Sequence, residues 1–341
     1  MRRFPLFNVL TILVALGLFV VFLSFSRSGA SLLTWLGSWI GLTQISSVDQ
    51  QIILWIKLPE VLIAWLVGAG LGIVGCAMQG LLRNPLADPA ILGVSSGASF
   101  FGILLILFLP TVGLVSASFM MFLFIVASFI GASVVMLILY LFTKLTQGGN
   151  VISVLLAGVA LSALFGALSM LLVSFSGDIQ MRQAIMWSMG GLVNTSWASV
   201  GFVAVILFVG FWILVRSASE LNILSLGEES AKTMGVSVGA LLLRLLVASG
   251  LIVAAVTAVA GPIGFVGLIA PHVARMLRGA EHKGLMLSSA LVGGVIMMTT
   301  IYCSKEIAYP YTISVGIIMA LLGAPFFLWL LWKNYRKEKL T

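Results

Sequence analysis

Long apolar runs separated by short polar connections limit this chain's fold more than any other feature. They cover about residues 6–25, 60–80, 91–109, 115–142, 151–174, 197–215, 239–261, 264–278, 285–303 and 313–332. About 20 apolar residues cross a bilayer core as a helix, which satisfies its own backbone there. Barrel strands would instead alternate with period two. The chain therefore reads as an all-α polytopic membrane protein, a single transmembrane domain over residues 1–341 with about ten transmembrane helices. Only 8% of residues are charged, against roughly 25% in soluble domains, which excludes a soluble enzyme. The first run follows Arg2 and Arg3 as a signal core would, but exceeds the roughly 7–15 apolar residues of one; an uncleaved span is expected. The eighth run, with Gly261, Pro262, Gly264, Gly267 and Pro271, predicts a broken helix, tolerated only where it is buried or faces a cavity.

An even number of spans returns the chain to its starting side. With that side cytoplasmic, only Arg27, Lys57, Arg182 and Lys305 of the 18 Lys and Arg fall outside. That is a positive-inside bias, so the net charge of +8 reports topology beside membrane lipid, and no nucleic acid is expected. Both termini are placed in the cytoplasm of a bacterial cell, the multi-pass chain in its cytoplasmic (inner) membrane. Tyr309 and Tyr311 outside, and Trp329, Trp332 and Tyr335 inside, fit interfacial belts.

The acids Asp49, Glu60, Asp88, Asp178, Glu220, Glu228, Glu229, Glu281, Glu306 and Glu338 all fall in connections or at span ends. Ion-coupled transporters often hold a carboxylate at the midplane. Its absence favours a permease energised from outside the membrane, with the ion-coupled transporter as the distant alternative. No G-x-x-x-x-G-K-[ST] loop is present, so any ATP and Mg²⁺ belong to a partner ATPase. Cys76, Cys303, His272 and His282 are too few and scattered for a thiol or histidine metal centre. No catalytic residue, metal or cofactor is assigned to this chain, which reads as a transport subunit.

Residues 220–238, ELNILSLGEESAKTMGVSV, form the most polar inner connection. Ala231 and Gly235 are small residues four apart on one side of a short helix, Glu228, Glu229 and Lys232 add charge, and Gly235 supplies a helix stop. The segment reads either as a helix seated in an ATPase cleft or as an amphipathic helix lying on headgroups.

Five blocks in order resemble the permeases of bacterial ATP-binding-cassette importers for ferric siderophores, haem and cobalamin. They are LVGAGLGIVGCAMQGLLRNPLADPAILGVSSGAS at 66–99, VLLAGVALSAL at 154–164 with MWSMGG at 186–191, LSLGEESAKTMGV at 224–236, GPIGFVGLIAPHVAR at 261–275 and LLGAPFFLWLL at 321–331. The resemblance implies a type II ABC importer permease fold and import of a metal chelate. Ferric siderophore leads as cargo, with haem or cobalamin as the alternative. Two permeases would form the pathway between them, two ATP-binding subunits would bind below, and an extracytoplasmic substrate-binding protein would dock above. Leu226, Gly227, Glu228, Glu229, Ala231, Lys232 and Gly235 match the family's coupling helix. Arg83, Asn84, Pro85 and Asp88 are either a second inner contact with the ATPase or a structural connection, in which the prolines stop helices and Asp88 caps the next one. The fifth span would line the pathway, with Val151 and Ile152 at the inner gate.

The outer face departs from the family. Its usual R-L-P-R reads Lys57-Leu58-Pro59-Glu60, with Lys305 at the later basic position. These three residues are candidates for docking the binding protein, although Lys57 and Glu60 also stand at i, i+3, where they would pair locally. The reversed charge favours a heterodimer whose sister permease supplies the missing positive residue; a homodimer stays open.

Overall fold

The computed structural model describes residues 4–24, 38, 46–85, 87–88, 92–108, 117–145, 151–192 and 195–338. The helices are α1 (Phe4–Ser24), α2 (Ser47–Ile52), α3 (Leu58–Leu81), α4 (Val94–Phe108), α5 (Ala117–Leu145), α6 (Val151–Ser174), α7 (Asp178–Ser188), α8 (Trp197–Arg216), α9 (Ala218–Leu224), α10 (Glu228–Thr233), α11 (Val238–Ala260), α12 (Val266–Arg278), α13 (His282–Glu306) and α14 (Val315–Glu338). A π-helical turn, Ile53–Lys57, joins α2 to α3.

The ten expected runs are occupied by α1, α3 to α6, α8 and α11 to α14. Among the described residues, seven candidate spans are at least 18 residues long and apolar enough to cross a membrane; Val94–Phe108 and Val315–Leu330 are shorter apolar helices. The eighth run is indeed broken: α12 has 13 residues, preceded by the turn at Gly261 (φ 66°) and Phe265 (φ 67°). Serine hydroxyls start two helices, Ser46 accepting from the Asp49 N–H at 3.0 Å and Ser196 from that of Ser199 at 3.3 Å. Glu281 starts α13 by accepting from the N–H groups of Lys283 and Gly284, each at 3.1 Å.

The centre of the bundle is α3, buried along most of its length against α13. Gly68 makes this approach possible: a Cβ there would run into the Gly293 carbonyl, and one at Gly293 into that of Gly68. Close backbone contact through small residues is how helices associate where lipid removes the hydrophobic drive between them.

The packing reveals two interleaved halves, α3 to α6 and α11 to α14. Helix α3 lies on α13 of the other half, and α11 lies on α5; within each half the second helix packs on the third and the fourth. The halves are inverted. Gly80 near the end of α3 lies against Leu221 of α9, and Arg244 near the start of α11 pairs with Glu220 of α9, so these opposite ends share one face. Glu60 and Lys305 mark the other face.

In each half a long helix is followed by one that starts inside the bundle. Ser95, in the first turn of α4, meets the Thr257 hydroxyl at 3.3 Å, and Gly93 abuts Gly158 and Ser162 within α6. Phe265, just before α12, lies against Gly323 in mid-α14, and Gly267 against Gly75 in mid-α3. Non-helical backbone at such depth is admissible because protein surrounds it.

Candidate functional site

Three places answer to the residues singled out by sequence. At the charge-rich face, α8 turns at Ser217 into α9, and α10 follows as a six-residue helix. Gly227 (φ 118°) and Gly235 (φ 83°) bound it in backbone conformations that side chains rarely adopt. Ala231 is fully buried and anchors the short helix. Leu226 and Met234 project from its two ends at 64% and 58% exposure. Lys232 lies 3.2 Å from Glu228 and 3.7 Å from Glu229, and these carboxylates hold its ammonium above the usual lysine range. An anchored knob carrying two exposed apolar side chains and mixed charge is thus presented to whatever lies beyond the bundle end.

The 83–88 segment is not a simple cap on that face. Arg83 adopts φ 48°, and the Asn84 N–H reaches back to the Gln79 carbonyl at 3.1 Å. The chain then re-enters the bundle. Asp88 Oδ2 accepts from the Phe265 N–H at 3.3 Å, at the start of α12 and 177 residues away. Asp88, expected to cap the next helix in sequence, serves the start of α12 in the other half. Asp88 thus lies in a connection, as expected, but that connection runs inside the bundle, where the residue joins the two re-entrant segments. Its proline-flanked setting reads as a surface loop, and nothing local signals a partner 177 residues on.

At the opposite face, Glu60 is only 4% exposed and its Oε2 lies 2.5 Å from Lys305 Nζ, while the Lys305 side chain is 43% exposed. Lys305 also sits 5.9 Å above the Phe22 ring. Lys57 is buried beside them, lining the same small cleft with Tyr302. The structure thus joins Glu60 to Lys305 across 245 residues, a pairing that the i, i+3 spacing of Lys57 and Glu60 gave no reason to expect.

Val151 and Ile152 open α6; their side chains lie outside the described residues. Not foreseen from the sequence is α7, on the connection after α6, where Met181, Arg182, Ile185, Met186 and Met189 line a shallow groove. Its signal was present, since Met181, Ile185 and Met189 recur every four residues. Among the described residues, no group of three or more His, Cys, Asp or Glu could hold a metal ion.

This arrangement of inverted halves with an exposed short helix has known counterparts. Residues 8–333 match the FecCD transport family. The chain belongs to that family. It is 40% identical over 278 residues to the hemin transport system permease protein of Yersinia pestis, covering 81% of each chain. It is 39% identical over 287 residues to the cobalamin import system permease protein of Halobacterium salinarum, covering 84% of this chain and 75% of that one. A solved chain assigned to the metal-chelate type of ABC transporter, in an inward-facing conformation, superposes with a TM-score of 0.84 at 32% identity, covering 96% of this FecCD permease and 99% of that chain.

Proposed function

We propose that this FecCD permease forms, with a second permease, the pathway of an ATP-driven importer of metal chelates. Two separate ATP-binding subunits bear on α9 and α10 from the cytoplasm, and a binding protein delivers cargo at the Glu60–Lys305 face. Both chain ends are then cytoplasmic, in the inner membrane of a bacterium. The observation that carries the reading is the knob at Leu226–Gly235, with its buried Ala231 and its exposed Leu226 and Met234. Residues Arg83, Asn84 and Pro85 are exposed at the same face and serve as a lesser contact. The gate is assigned to the start of α6.

The cargo is a metal chelate of the siderophore, haem or cobalamin class. Relatives named for hemin and for cobalamin give the two macrocycles equal standing with ferric siderophores. The neutralised outer pair supports a heterodimer. With Glu60 joined to Lys305 and Lys57 buried, these three residues offer the binding protein little positive charge, and a sister permease supplies it.

Co-expression with the ATP-binding subunits tests the reading. They should co-purify with the permease, and vesicles containing the complex and the binding protein should take up haemin, a ferric siderophore or cobalamin only with ATP. Uptake without ATP-binding subunits would refute it.

A further inference from the structure

Movement at α9 and α10 can matter to the pathway only if something fastens them to the spans. Leu221 and Leu224 bury the apolar side of α9, with Leu221 close to Gly80 of α3. Glu220 ties α9 to α11 through Arg244, but toward α3 and α13 apolar packing alone would let a seven-residue helix slide. Between those leucines Asn222 makes a directed link: its Oδ1 accepts from the His282 backbone N–H at 3.0 Å and lies 2.6 Å from His282 Nδ1. The backbone donor requires that the amide present oxygen, and an oxygen facing Nδ1 requires the ring proton on that nitrogen. Nε2 is then a bare acceptor, buried without a hydrogen-bond partner against Gly80. His282 is 6% exposed and opens α13, where backbone N–H groups have no acceptor within the helix. One amide oxygen from the coupling segment therefore caps α13, while the ring it holds wedges between α9 and the end of α3. Because α3 and α13 are locked along their length through Gly68 and Gly293, a push on α9 enters both helices together.

We propose that the Asn222–His282 pair is the joint through which ATPase movement passes from the coupling segment into α3 and α13, a positioning role that rests on the ATPase seating proposed above. The test uses the full complex in vesicles, with the exposed Met186 of α7 replaced (M186C) in a Cys303→Ser background. The readout is the change in thiol labelling of that cysteine on trapping with ATP and vanadate, which needs no knowledge of the cargo. Asn222→Ala and His282→Phe should keep the ATP-binding subunits bound and hydrolysing. They should shrink the trapping-dependent change by about tenfold, within the usual range of coupling between sites. His282→Gln, which keeps a donor but not the ring, should retain most of it. A His282→Phe complex that responds like the parent would reduce the pair to packing and overturn the proposal. So would loss of the ATP-binding subunits from Asn222→Ala, which would make the residue part of the docking surface. If the subunits fail to bind the unaltered chain, or stay bound and coupled when Ala231 is replaced by Arg, the seating itself falls, which is a separate failure.

Discussion

Removing Lys305 isolates a carboxylate that has little access to water. Breaking a fully buried ion pair costs about 3–5 kcal/mol because the remaining charge stays desolvated, whereas an exposed pair is worth about 0–1 kcal/mol. This pair lies between the limits, with Glu60 4% exposed and the Lys305 side chain 43% exposed. Solvent reaching the ammonium screens the interaction, so Lys305→Ala should destabilise by about 2 kcal/mol, intermediate between those ranges. For a chain somewhat larger than those giving about 2–4 °C per kcal/mol, the expected loss in Tm is about 4 °C. The protein carries its own probe. Cys76 is fully buried, so a thiol-reactive dye reports unfolding of detergent-solubilised protein as that cysteine becomes reachable, in a Cys303→Ser background. Glu60→Gln keeps an acceptor and buries no charge, so it should cost less. The double variant Lys305→Met with Glu60→Gln should recover most of the loss. Wild-type melting of Lys305→Ala, or a double variant worse than either single one, would refute the reasoning.

Gly68→Val should be severe, beyond the usual 1–3 kcal/mol or so of overpacking, because the obstacle is the Gly293 backbone. Gly201→Ala, with open space around it, should accumulate and melt normally. Asp88→Asn should sustain uptake, since an amide oxygen can still accept from Phe265, while Asp88→Ala should lower uptake with the ATP-binding subunits still bound. Loss of those subunits would return Asp88 to the inner contact. Gly235→Leu should lower ATP-driven uptake while membrane levels hold, because its φ of 83° costs an ordinary residue about 1–2 kcal/mol. Gly235→Asn should behave nearly as wild type, and unchanged uptake in Gly235→Leu would overturn the coupling assignment.

The spans were legible because lipid imposes one requirement, a run of apolar residues, and each run stands alone in the sequence. What depends on two distant segments was not. The pairing of Glu60 with Lys305, the capping of α12 by Asp88 and the contact of Asn222 with His282 arise only once α3, α9, α12 and α13 are packed. The internal repeat shows why. Gly80-Leu81-Leu82 and Gly267-Leu268-Ile269 look alike in sequence, which would match α3 with α12. The packing instead matches α3 with α11 and α4 with α12. That symmetry lives in which helix touches which, and residue identity has drifted away from it. Helix α7 was missed for a simpler reason: eleven residues of mixed polarity fall below the length that marks a span.

The two short helices that begin inside the bundle have an electrical consequence. An α-helix carries about half a positive elementary charge at its N-terminus, and both α4 and α12 start within the protein interior. Two such ends place about one positive charge inside the bundle, and the carboxylate of Asp88, held at the start of α12, offsets it in the same region. To first order they cancel. The join between the two re-entrant connections can therefore stay buried in protein without a bare charge to hydrate. Asp88→Ala would leave that balance positive and should loosen the start of α12.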